Sequence, residues 1–113
     1  MIREELLEKV SGKREEFISW YHEFHQIPEL GFEEEKTTEL ICEKLTAMGI
    51  HPFRLDPTGV TAYIGPHDAY TVALRADIDG LRVSEDTDLP FQSKHPGKMH
   101  ACGPVSYTHL RAH

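Results

Sequence analysis

The chain has 113 residues, enough for one compact domain that buries roughly two thirds of the surface its unfolded form exposes. Hydrophobic residues make up 39% and charged residues 27%, a globular balance that excludes disordered, collagen-like and coiled-coil classes for most of the length. A net charge of -7 with no basic cluster excludes nucleic acid and an anionic membrane surface as partners, because both need a cationic patch. Cys42 and Cys102 are too few for a disulfide framework and are read as free thiols. Met1-Ile2-Arg3-Glu4-Glu5 is charged where a secretory signal needs an apolar core, and no run approaches the ~18 apolar residues of a membrane span. The expected compartment is the cytoplasm.

In chain order, Leu6, Leu7, Val10, Arg14, Phe17, Ile18, Tyr21, Phe24 and His25 recur at spacings of three and four. They predict one long helix ending before Pro28, weakened but not broken at Gly12. Glu33, Glu34 and Glu35 favour the positive end of a second helix, with Leu40, Ile41, Leu45 and Met48 as its buried stripe and Gly49 as its stop. Pro52 to Leu55 reads as a short edge strand. Val60-Thr61-Ala62-Tyr63-Ile64 and Thr71-Val72-Ala73-Leu74-Arg75-Ala76 are β-rich runs around the turn cluster Gly65-Pro66-His67-Asp68, so they are expected to pair, the second being the more buried. Residues 82–97 read as loop or hairpin. The fold class is α/β, two helices followed by strands of a mixed sheet, and in such sheets chemistry sits past the carboxyl ends of strands. Asp77 and Asp79 stand there.

Asp77 and Asp79 lie two apart, so in an extended segment they face the same way and could share a cation or orient a ligand; capping of a strand-end turn is the structural alternative. His100 and Cys102 are also two apart, and a thiolate with an imidazole suits zinc better than magnesium or calcium. A buried structural cysteine beside a polar histidine explains that pair equally well, and a catalytic cysteine with His100 as base is a third reading. His22, His25, His51, His67 and His95 are scattered and read mainly as surface or capping residues, with His25 the most notable because it stands near a helix end. The three consecutive glutamates read as a solvated helix start.

Three segments then form a pattern: His22-Glu23-Phe24-His25-Gln26-Ile27-Pro28-Glu29-Leu30-Gly31-Phe32-Glu33-Glu34, Leu74-Arg75-Ala76-Asp77-Ile78-Asp79-Gly80-Leu81, and Gly97-Lys98-Met99-His100-Ala101-Cys102-Gly103. Together they resemble the amidohydrolases of the aminoacylase and carboxypeptidase G superfamily, peptidase family M20, in the branch of bacterial N-acyl-amino-acid hydrolases and plant auxin-conjugate hydrolases. The resemblance implies a zinc-peptidase-like catalytic domain of which residues 1–103 are the N-terminal portion, with the lid or dimerisation domain absent. It implies hydrolysis of the amide of a small N-acylated amino acid by a metal-activated water, at two divalent transition-metal ions such as zinc, manganese or cobalt. Cys102 matches a metal-bridging ligand, Asp79 the carboxylate that orients the site, and Asp77 a position held by a histidine ligand in other branches. The full-length parent is expected to act as a homodimer, and the chain by itself to be inactive. A small metal-binding or interaction domain without catalysis is the alternative.

After His-Ala-Cys-Gly the family pattern continues His-Asp, whereas this chain has Pro104-Val105, and proline offers no ligand atom. Residues 105–113 resemble the translated end of a transposase-based sequencing adapter, one frame of which, GTC TCT TAT ACA CAT CTC CGA GCC CAC, encodes them in order. The adapter bases before that frame are CT, so Pro104 reads as a junction codon whose first base, C, also begins the codons of histidine. Residues 104–113 are therefore expected to be a non-native tail, and His109 and His113 are excluded as ligands.

Overall fold

The structure is a computed structural model that describes residues 2–66 and 70–102. His67 and the expected tail at 104–113 lie outside the described residues. Three helices, α1 (Ile2–Gly12), α2 (Arg14–His25) and α3 (Glu35–Ala47), precede two short strands, β1 (Phe53–Arg54) and β2 (Val60–Thr61).

The run predicted as one helix is divided at Lys13, whose φ of -102° and ψ of 10° leave the helical basin. Ser11 and Gly12 are weak helix formers, Gly by about 1 kcal/mol relative to Ala, and the chain takes a tight turn there. The turn keeps its hydrogen bonds: Lys13 N–H reaches the Val10 carbonyl and Phe17 N–H the Lys13 carbonyl, both at 3.0 Å. Helix α1 buries none of its residues, and Leu6 and Leu7 remain 59% and 56% exposed.

Helix α3 takes its N-terminal partner from outside itself. Glu34, its N-cap residue, makes no capping bond, and the buried carboxylate of Glu29 does so instead. Its Oε1 accepts from Thr37 N–H at 2.6 Å and from the Thr37 hydroxyl at 2.7 Å, while Oε2 accepts from Lys36 N–H at 3.2 Å. A negative charge on unsatisfied N–H groups at the positive end of a helix is favourable twice over. The other end closes as a Schellman motif: Ile50 N–H to the Leu45 carbonyl at 2.9 Å and Gly49 N–H to that of Thr46 at 3.0 Å, with Gly49 at φ 76°.

The buried face of α3 is Thr37, Thr38 and Cys42, and this corrects the expected stripe: Leu40, Ile41 and Leu45 are half-buried and Met48 is exposed. Polar contacts turn the helix this way. Besides Glu29 on Thr37, Gly59 N–H donates to the Thr38 hydroxyl at 2.9 Å, and the Thr58 hydroxyl donates to Glu34 Oε2 at 2.5 Å. Across the α2–α3 seam Lys44 pairs with Glu23 at 2.6 Å and sits over the Trp20 ring.

The strand pairing also differs from expectation. β2 pairs antiparallel with β1, Phe53 opposite Thr61 and Arg54 opposite Val60, and not with residues 71–76. That second run, expected to be the more buried, makes no ladder, and Val72 and Leu74 are 85% and 92% exposed. A strand covered on both faces needs neighbours on both sides, which the described residues do not provide. The sheet seen is thus two-stranded and antiparallel within an α/β arrangement.

Beyond Asp79 the chain is tied down again. Gly80 N–H donates to the Glu29 carbonyl at 2.6 Å, and Leu81 and Met99 form an antiparallel bridge with bonds of 2.9 and 3.0 Å. A Cβ on Gly80 would stand 2.9 Å from the Pro28 ring, so only glycine permits this approach. Glu29→Ala should cost roughly 2–3 kcal/mol, since it strands buried N–H groups that a charged acceptor served. Urea unfolding checks this, with Glu29→Gln expected between the two.

Candidate functional site

Helices α2 and α3 and the returning chain line an open cavity of about 350 Å³. Tyr21, Phe24 and His25 line it from α2, Thr37 and Ile41 from α3, and Asp77, Ile78 and His100 from the two later motif segments. The walls are mostly apolar with a few convergent polar groups, the usual character of a small-molecule site.

His100 sits one residue past the Leu81–Met99 bridge, which brings it alongside Asp79. Its ring lies near the Asp79 backbone, and Nε2 is buried with no hydrogen-bond partner among the described residues. Burial holds the His100 pKa below the usual 6.5; the Asp79 carbonyl opposes this, and the nearby His25 adds to it. A buried imidazole nitrogen without a partner is prepared to meet a ligand atom or a water.

His25 is buried at the C-terminal end of α2, and its Nε2 lies 2.9 Å from Glu85 Oε1. The two side chains are 6% and 3% exposed. Glu85 Oε1 also accepts from Ser93 N–H at 2.9 Å, and Oε2 accepts from the Thr87 hydroxyl. The Thr87 hydroxyl, helped by Ser93 N–H and His25, holds the Glu85 carboxyl below its ordinary 4.5 against the opposing effect of burial.

The residues singled out in the sequence are placed unequally. Asp77 lines the cavity, with its carboxylate 3.0 Å from Arg75 in a largely exposed pair worth little by itself. Asp79 lies near the His100 ring and is not among the lining residues. Cys102 is a half-buried free thiol and Cys42 a buried one. Among the described residues no three His, Cys, Asp or Glu side chains group closely enough to hold a metal ion. Cys102, Asp77 and Asp79 therefore do not fit a metal centre by themselves.

Sequence reasoning passed over Glu29 and Glu85. Glu85 sits in a polar run where a carboxylate normally faces solvent, Glu29 stands between Pro28 and Leu30 with no local donor in view, and only the folded chain brings donors to them. His25 carried a faint signal, its place at the end of an apolar helical stripe.

Residues 73–108 match the family described as Peptidase family M20/M25/M40. An IAA-amino acid hydrolase, ILR1-like 4, of Arabidopsis thaliana is 42% identical over 102 residues, 86% of this chain and 23% of that protein. An N-acyl-L-amino acid amidohydrolase of Geobacillus stearothermophilus is 39% identical over 96% of this chain and 30% of its own length. Among solved structures, the Bacillus subtilis YXEP protein, a dinuclear metal-binding peptidase of the M20 family, superposes with a TM-score of 0.75 at 40% identity, over 82% of this chain and 27% of that one. The chain thus spans about a quarter to a third of the length of these relatives.

The depressed Glu85 pKa ties stability to acid. Above 4.5 the carboxylate is charged in both folded and unfolded chains and its stabilisation is fully present; as pH falls below 4.5 the unfolded chain takes up the proton first, and the stabilisation is lost through the lower folded value. The urea midpoint is expected to fall more steeply below pH 4.5 in the wild type than in Glu85→Gln; parallel slopes would count against it.

Proposed function

Since this chain belongs to the M20 peptidase family, we propose that it forms the opening of the catalytic domain of a metal-dependent amidohydrolase whose substrates are small N-acylated amino acids. The observation that carries the reading is the convergence of three motif segments on one turn. Gly80 is bonded to Glu29 and Leu81 to Met99, which sets His100 beside Asp79, so segments widely separated in sequence meet beside one cavity. The names of the plant and Geobacillus relatives, hydrolases of IAA-amino acids and of N-acyl-L-amino acids, support an amide between an acyl group and an amino acid.

Within this reading Cys102 is a metal ligand, Asp77 a second one, and Asp79 the carboxylate that orients the site. The thiolate favours zinc, cobalt or manganese over magnesium. The remaining ligands and the general base belong to the rest of the parent protein, so the 113-residue chain alone is expected to show no amide hydrolysis. No helix among the described residues is long and apolar enough to cross a membrane.

In the parent, hydrolysis of N-acetyl amino acids is expected to vanish on chelation and return with zinc, manganese or cobalt. Cys102→Ser should lower kcat/KM by roughly 100-fold or more, with loss of bound metal by elemental analysis. Full activity with an unchanged metal content would overturn the assignment. The tail is tested at the gene: the source locus is expected to encode histidine at position 104, and a template that reads Pro-Val-Ser-Tyr-Thr-His would refute the adapter origin.

A further inference from the structure

We propose that Glu85 and His25 form a positioning pair, in which Glu85 fixes the His25 imidazole as one wall of the cavity and thereby sets where His100 lies. The inference rests on the site described above.

The pair joins residues 60 apart, and neither side chain is more than 6% exposed. Such a buried pair is seldom the most stabilising choice, since apolar side chains of similar volume often do as well; what it supplies is a single geometry. Three donors converge on Glu85: His25, Ser93 N–H and the Thr87 hydroxyl. A carboxylate so served can only accept, so His25 carries its proton on Nε2 and its ring orientation is set.

Glu85 lies in the loop that leaves Leu81 and returns to Met99, one residue before His100. Other contacts lay this loop along the end of α2. Lys94 N–H donates to the Gln26 carbonyl and His95 Nδ1 to that of Pro28, both at 2.8 Å, and the Phe91 ring stacks on His22 at 3.7 Å. Those contacts fasten the outside of the loop. The His25–Glu85 bond ties the loop to the cavity wall shared with Asp77 and His100 by a hydrogen bond, where the Phe91 ring also packs edge-on against Tyr21 and His25.

The test is made on the whole chain at one fixed neutral pH, with histidine ring nitrogens labelled and observed by NMR. In the wild type His25 is expected to show an Nε2–H tautomer and His100 a single set of ring signals. Glu85→Leu, which replaces the carboxylate by an apolar group, is expected to mix the His25 tautomers and shift the His100 ring signals even where the unfolding midpoint is unchanged. Glu85→Gln keeps an acceptor and should restore both. His100 signals that stay in place in Glu85→Leu, or that Glu85→Gln fails to restore, would overturn the proposal. If Glu85→Leu does not fold, Thr87→Val removes one donor at an exposed residue and should give a smaller shift in the same direction; no shift would likewise overturn it. The readout needs neither metal nor substrate, so a parent without amidohydrolase activity would sink the functional reading and leave this result intact.

Discussion

The carboxylate of Glu29 at the start of α3 is the contact on which the rest of the arrangement depends. Its side chain serves the N–H groups of Lys36 and Thr37, while the carbonyl of the same residue holds Gly80. One residue therefore joins a helix end, the turn that leaves α2 and the segment that has just passed Asp77 and Asp79. The neighbouring Pro28 is buried against Gly80 and gives its own carbonyl to His95. Because the turn at Gln26 to Glu29 is bonded from three directions, displacing it would unseat α3, the aspartate segment and the long loop together.

The periodic parts of this fold were legible in the sequence, and the parts decided by distant partners were not. Helix α2, the stop of α3 at Gly49 and the loop character of residues 82–97 follow from spacing and turn chemistry. The break at Lys13 was underestimated because a glycine inside a helical period weakens a helix by about 1 kcal/mol, an amount that context can settle either way. The packed face of α3 was misplaced for a different reason. A count of apolar residues favours Leu40, Ile41, Leu45 and Met48, yet the hydrogen bonds that Thr37 donates to Glu29 and Gly59 donates to Thr38 rotate the buried side onto Thr37 and Thr38.

The site shows the same division. Asp77, Asp79, His100 and Cys102 are conspicuous as residue types, and the resemblance to the M20 family gives them an order. The geometry that brings Asp79 to His100 depends on the Leu81–Met99 bridge, which no local pattern announces. Glu85 is less visible still, because in a loop of acidic and hydroxyl residues nothing distinguishes the carboxylate that will be buried. Its burial is decided by His25, sixty positions earlier, and by a backbone N–H eight positions later.

Two kinds of segment therefore coexist. Around the turn at Gln26 to Glu29 the polar groups find partners among the described residues: Glu29 with α3, Glu34 with Thr58, Glu85 with His25 and Ser93. Such contacts lock geometry, and they place Asp79 and His100 side by side. The run from Tyr70 to Leu74 is of the opposite kind, apolar and β-prone, with 104% exposure at Tyr70 and 92% at Leu74. Exposed apolar β-prone segments invite intermolecular pairing, and the net charge of -7 opposes that association only by repulsion that salt screens. The scaffold of the site is thus held by contacts among the described residues, whereas the run leading to Asp77 finds no ladder partner among them.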